Sequence, residues 1–299
     1  MDVIRSAIDG GVNYIDMFWA HPEFRDTMGV AFRGRRAEVC ITAHLGSTIR
    51  EDGQYAVSRD PDVCASFFDD YLERMEANYA DVLFLHNCNA PEDVRRVVEP
   101  GGLLGLARSL VKARKARFVG MSGHNTITAR QVVESGVVDV LMFPINLAGY
   151  AVPGKRELLS ACEKENVGLV AMKVSGGGSL LRDKRLVEMQ DHQMGRQETA
   201  GAPSRYKVTA EITPERCVAY VLDQPQGSPT VPGAKSVDEL RDALRAPNAI
   251  VGERDYRSIL LSFASLQQGS ASTATTVHRV RRRSTLGERS VFSNRADGS

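Results

Sequence analysis

Asp81-Val82-Leu83-Phe84-Leu85-His86 is the stretch on which the fold turns. Its four central residues are apolar without alternation, so both faces of the segment call for burial. An extended run covered on both faces belongs to a parallel sheet flanked by helices. Runs of the same kind recur on either side, at Val12 to Asp16, Val39 to Leu45, Phe118 to Ser122, Val138 to Asn146, Gly168 to Lys173 and Ser228 to Gly233, which makes seven strands. Amphipathic stretches of crossover length separate them, among them Val63 to Asn78, Gly102 to Lys115, Thr126 to Ser135 and Lys155 to Glu165. Gly136 and Gly168 follow two of these, where a left-handed cap ends a helix. Strict βα alternation of this length predicts a (β/α)8 barrel or a doubly wound sheet. A doubly wound dinucleotide fold needs G-x-G-x-x-G after its first strand, and none of these strands is followed by it; Gly176-Gly177-Gly178 comes after the sixth. The expected class is therefore α/β with a TIM-barrel-like fold. Seven strands do not close eight, and Met1 to Asp9 reads as helix, so the first strand is expected to be missing.

The 299 residues, 42% hydrophobic and 25% charged, describe a globular chain, and no apolar run reaches the length of a spanning helix. No secretory signal is visible at the N-terminus, so a cytoplasmic protein is expected. The five cysteines, Cys40, Cys64, Cys88, Cys162 and Cys217, include no C-x-x-C pair and predict reduced, mostly buried thiols. Residues 270–299 hold six Arg and no Lys against Glu288 and Asp297, so the +1 net charge of the chain hides a body at −3. An acidic body excludes nucleic acid as its natural partner. Three segments follow: a barrel domain over 1–247, a connector helix over 248–269 and an Arg-rich, disordered tail over 270–299. The polar stretch between Gly178 and Thr213 reads as a lid or insertion, its His192 solvent-exposed.

Four of the six histidines lie at or just beyond strand ends: His21, His44, His86 and His124. In a barrel all four face the C-terminal rim, where βα loops build active sites. Asp16 ends its strand on the same rim, either as a helix cap or as a buried carboxylate needing a partner. Such a cluster suits proton transfer; His21, His44, His86 and Asp16 could equally bind Zn²⁺ or Fe²⁺ and activate water. A third reading is a catalytically inactive binding shell.

Gly11-Val12-Asn13-Tyr14-Ile15-Asp16, Arg25 to Gly29, the strand ending in His44, Asp81 to His86 and Phe118-Val119-Gly120-Met121-Ser122 resemble successive blocks of the aldo-keto reductases, from about residue 1 to 245. Gly123-His124-Asn125, Phe143-Pro144-Ile145-Asn146 and Val170-Ala171-Met172-Lys173 are similar to the branch that carries a C-terminal four-iron ferredoxin-like module. The resemblance implies carbonyl reduction by a Tyr, Lys, Asp and His tetrad. Asp16 and His86 match the Asp and the orienting His; His21 stands at the Tyr position and His44 at the Lys position. An imidazolium needs no neighbouring cation to donate a proton at neutral pH, whereas a phenol does. His21 is therefore the expected donor, with His44 paired to Asp16.

The resemblance also implies NADPH or NADH lying across the rim. Its contacts map to Ser122, His124, Met172, Lys173, Gly233, Lys235, Ser236 and Asp242, with Met142 where the family has a carboxamide-binding Gln and Met172 where it has a stacking aromatic ring. Gly233 to Ser236 at a helix start reads as an anion site or an ordinary capped turn; Asp242 reads alone as a solvated helix face. The implied partners are a small-molecule carbonyl substrate and a redox partner, with no nucleic acid and no membrane. No metal ligands are assigned. For the tail, synonymous codons for Gly269 to Leu286 shifted by two bases can encode C-x-x-C-x-x-C-x-x-C-P, close to a ferredoxin cysteine run. A frameshifted cluster module is the expectation there. As translated the tail has no cysteine and cannot hold a 4Fe-4S cluster.

Overall fold

Each of the seven apolar runs forms a strand of one parallel sheet in the computed structural model, which describes residues 1–183, 186–189, 204–208, 210–224 and 228–268. His192 and the whole 270–299 tail, with its cluster reading, lie outside the described residues. The strands are β1 (Tyr14–Ile15), β2 (Cys40–Leu45), β3 (Ser47–Ile49), β4 (Tyr55–Val57), β5 (Ala80–Leu85), β6 (Ala116–Ser122), β7 (Val140–Pro144), β8 (Gly168–Met172), β9 (Leu186–Met189), β10 (Ser204–Lys207) and β11 (Thr230–Val231). The sheet order is β1-β2-β5-β6-β7-β8-β11, while β3 with β4 and β9 with β10 form separate antiparallel hairpins. The helices are α1 (Asp2–Asp9), α2 (Pro22–Phe32), α3 (Pro61–Arg74), α4 (Pro91–Val98), α5 (Leu103–Lys112), α6 (Thr126–Glu134), α7 (Lys155–Lys164), α8 (Ser179–Arg182), α9 (Pro214–Leu222), α10 (Val237–Arg245), α11 (Val251–Arg254) and α12 (Arg257–Gln268). None of them is long and apolar enough to cross a membrane.

The missing alternation in the strands has a direct structural cause. Tyr14, Val82, Phe84, Val140, Met142 and Val170, with Cys40, Phe118, Met172 and Val231 against them, form one apolar cluster drawn from all seven strands, the filling of a barrel. Their neighbours Ile41, Ala43, Leu83, Leu85, Met121, Leu141 and Leu169 enter the larger core under the helices. Gly120 is required inside, because a Cβ there would lie 2.5 Å from the Phe84 ring. The barrel is nearly closed: β1 and β11 are its two edges, and α1 and α10 pack together beside them, with Gly10 leaving room for Leu244.

Helix α2 approaches α3 so closely that a Cβ on Gly29 would sit 2.2 Å from the Arg74 carbonyl oxygen. Backbone cannot yield as a side chain can, so Gly29→Ala is expected to cost roughly 2–3 kcal/mol of stability, read by urea denaturation. Arg36 is tied to the N-terminal rim. It donates to Asp81 Oδ2 at 2.8 Å and to the Val39 and Tyr79 carbonyls, since buried Asp81, which also accepts from Ile41 N and Arg117, needs cations at the N-terminal rim. Where a connector helix is expected, the described residues to 268 form two helices, α11 and α12, and Ile259 of α12 is fully buried in the main core. Four of the five thiols are buried and Cys40 is half-buried, all of them free.

Candidate active site

Sheet register brings three of the predicted side chains together. Tyr14 pairs with Cys40 and Ile15 with Ile41, so Asp16, one residue on, comes level with Thr42. His44 pairs with Phe84 and Leu45 with Leu85, which puts His86 just above. Side chains alternate, so Thr42, His44, Phe84 and His86 share the inward face with Cys40 and Val82. The polar members lie at the C-terminal end, above the apolar filling.

There Asp16 Oδ1 accepts from Thr42 Oγ1 at 2.7 Å and from His44 Nε2 at 2.9 Å. His44 Nδ1 lies 2.9 Å from His86 Nδ1, and His86 Nε2 lies 2.6 Å from the Tyr55 hydroxyl. Four side chains thus form one unbroken hydrogen-bonded line from a carboxylate to a phenol. Thr42 anchors its inner end, accepting from Met17 N at 3.0 Å, while the Tyr71 hydroxyl donates to the Thr42 carbonyl. Phe18 stacks on His86 with ring planes 5° apart, and the Ser47 hydroxyl donates to its carbonyl. Phe18 and Trp19 are exposed and give the rim an aromatic wall.

Burial pushes the Asp16 carboxyl up, but the His44 charge and hydrogen bonds from His44, Thr42 and Met17 outweigh it and hold the carboxyl below its usual range. His86 is driven down to about 2, by burial first and then by the charges of His44, Arg59 and His124. It is therefore a neutral ring. The carboxylate makes the Asp16 end of the line the place where a positive charge is best compensated. Burial raises the Tyr55 phenol, with Arg59 pulling the other way.

His21 does not join this line. It is the N-cap of α2 with an extended backbone and no side-chain cap bond. His124 is held by Asn89, whose Oδ1 accepts from His124 N at 2.7 Å. Ser122 Oγ accepts from Asn87 N at 3.0 Å, which leaves its own proton for donation. Met172 lines the barrel beside Val170, and Met142 is buried in the same cluster. Lys173 follows β8 in the left-handed region (φ 53°) and is exposed; partial desolvation lowers its pKa, and its ammonium has no carboxylate partner among the described residues. Around Gly233 the helix start is capped: Ser236 accepts from Glu239 N, and Lys235 N donates to Glu239 Oε2 at 2.7 Å. Asp242 pairs with Arg245 at 2.6 Å on the exposed side of α10.

Among the described residues no three His, Cys, Asp or Glu converge as metal ligands. Both nitrogens of His44 and of His86 already face protein partners, which disfavours the metal reading. Sequence reasoning missed Tyr55. The signal was available: Asp52-Gly53 between Ser47–Ile49 and Tyr55–Val57 is a hairpin turn, and the hairpin carries Tyr55 back to His86.

The sequence matches the Aldo/keto reductase family over residues 1–259. It is 21% identical over 261 residues to the "Uncharacterized oxidoreductase YqkF" of Bacillus subtilis (strain 168), covering 83% of this chain and 82% of that one. The fold is similar to aldo-keto reductase AKR11C1 from Bacillus halodurans in its holo form, with TM-score 0.66, 16% identity, and 87% and 86% of the two chains covered. It is also similar to an aldo/keto reductase from Klebsiella pneumoniae in complex with NADP and acetate, with TM-score 0.58, 17% identity, and 87% and 84% covered.

Proposed function

Because this chain belongs to the aldo/keto reductase family, we propose that it reduces a small carbonyl compound with NADPH, its proton handled by a His-substituted tetrad. The observation that carries this reading is the line from Asp16 through His44 and His86 at the barrel rim. Hydride addition to a carbonyl needs a proton at the oxygen, and this line joins an ionised carboxylate to two imidazoles within hydrogen-bond distance. Phe18 and Trp19 favour aldehydes or ketones with an apolar or aromatic flank.

NADPH fits the residues at hand. An exposed ammonium at Lys173 with no acid partner among the described residues is complementary to a phosphate, and the Ser122 hydroxyl proton to a carboxamide oxygen. When bound, NADPH supplies the hydride. The neighbour solved with NADP and acetate supports the choice of cofactor.

Fluorescence titration with NADPH tests the reading. The protein is expected to bind it, and Lys173→Ala to weaken binding by about tenfold, the size of one charge-assisted contact. Wild-type protein that binds no NADPH and turns over no aldehyde returns the site to a binding role.

A further inference from the structure

Tyr55 lies outside the strands that build the barrel, yet its hydroxyl ends the only hydrogen-bonded line that reaches the ionised Asp16 from the rim among the described residues. The β3–β4 hairpin holds it there: Ser47 pairs with Val57 and Ile49 with Tyr55, Arg50 N donates to the Gln54 carbonyl, and Gln54 N donates to Asp52 Oδ1. At 41% exposure its ring is open to solvent on one side, while the oxygen lies 2.6 Å from His86 Nε2. Neither His44 nor His86 has such an outlet, both being buried with each ring nitrogen engaged. His21, half-buried at the start of α2, has no hydrogen-bonded link to Asp16.

We propose that the Tyr55 hydroxyl is the group that protonates the carbonyl oxygen, reloaded through His86 from the His44–Asp16 pair; this rests on the reductase reading above. The directions of the bonds balance in both states. With His44 as imidazolium, its Nε2–H points to Asp16 and its Nδ1–H to His86 Nδ1. His86 then donates Nε2–H to the Tyr55 oxygen, and the phenolic proton is free to point at substrate. As the carbonyl carbon takes up hydride, the C=O π pair moves to oxygen and takes the Tyr55 proton. Tyr55 recovers a proton from His86 Nε2, and His86 recovers one at Nδ1 from His44, which becomes neutral. In the resulting state Tyr55 donates to His86, His86 Nδ1–H to His44, and His44 Nε2–H still to Asp16. One proton from water resets the line. A neutral His86 suits this exchange, since it takes and gives in one event.

The test is Tyr55→Phe, which removes one exposed hydroxyl and keeps the ring. With NADPH and 4-nitrobenzaldehyde, kcat is expected to fall about 100-fold with NADPH affinity within twofold of wild type. Independently of cofactor, 15N spectra of imidazole-labelled protein are expected to show the His86 Nε2 resonance move in Tyr55→Phe, with a smaller change relayed to His44. An active Tyr55→Phe variant, or one that leaves the His86 resonance in place, overturns the assignment. Loss of activity in His21→Ala with Tyr55→Phe active returns the donor to His21. Wild-type protein without NADPH binding or turnover overturns the reductase reading, and with it any role of Tyr55 in that reaction.

Discussion

Asp16→Asn is expected to lower kcat for carbonyl reduction by about 10³-fold while leaving NADPH affinity near the wild-type value. The amide is isosteric with the carboxylate and can still accept from Thr42 and His44 through its oxygen, so the local packing survives. What it loses is the negative charge facing His44 Nε2, 2.9 Å away in a buried setting. Without that charge the protonated state of the line is disfavoured, and the proton that must reach the carbonyl oxygen is no longer held at its start. Stopped-flow single turnover with NADPH and an aldehyde measures this directly. A variant within tenfold of wild type would mean that Asp16 only braces Thr42. The carboxyl is held below its usual range, so Asp16 stays ionised to lower pH than a free carboxylate and the wild-type line keeps its counterion through mild acid.

Lys155→Met is expected to stabilise the protein at pH 7 by about 2 kcal/mol and to flatten its stability against pH. Lys155 opens α7 and is 5% exposed, with Nζ 3.1 Å from the Gly149 carbonyl and 3.3 Å from the Tyr220 hydroxyl, and no carboxylate in reach among the described residues. Burial pushes its pKa from 10.5 down to about 7. Above that value the folded protein sheds the proton, while the unfolded chain keeps it up to its ordinary pKa. The unfolded state then binds more protons, so stability rises with pH across this window, by at most about 1.4 kcal/mol per unit for this group. Below about pH 7 both states are charged and the whole cost, on the order of 4 kcal/mol, is present. The Tyr220 and Tyr256 phenols beside it are raised by burial and stay neutral throughout. Methionine fills a similar volume without a charge; the Tyr220 hydroxyl and Gly149 carbonyl lose a donor, which is why the expected gain is about half the cost. Urea denaturation at pH 7 and pH 9 reads both effects. A variant no more stable at pH 7, or one with the wild-type slope, contradicts the account.

Much of the site was legible because barrel geometry converts chain position into rim position. Asp16, His44 and His86 stand at the ends of consecutive sheet strands, and parity alone sends Thr42, His44 and His86 inward. His21 stands five residues past Asp16 at a position suited to donation, but the loop turns it into the cap of α2. Gly233 to Ser236 carries the residues of an anion site, and the structure adds that Ser236 caps α10 while Glu239 takes the Lys235 amide. Both outcomes depend on loop paths, which residue types do not dictate.

Residue order was enough to set the number and succession of the barrel strands, their burial on both faces and the rim on which the titratable groups gather. All of these follow from local periodicity and chain order. It took the folded arrangement to establish which nitrogen faces which partner across 28 and 42 residues of chain, that Tyr55 closes the line from a hairpin, and that Lys155 is buried with no acid beside it among the described residues. Hydrogen bonding is directional to within tenths of an ångström, so partners remote in sequence are set by strand register and loop path together.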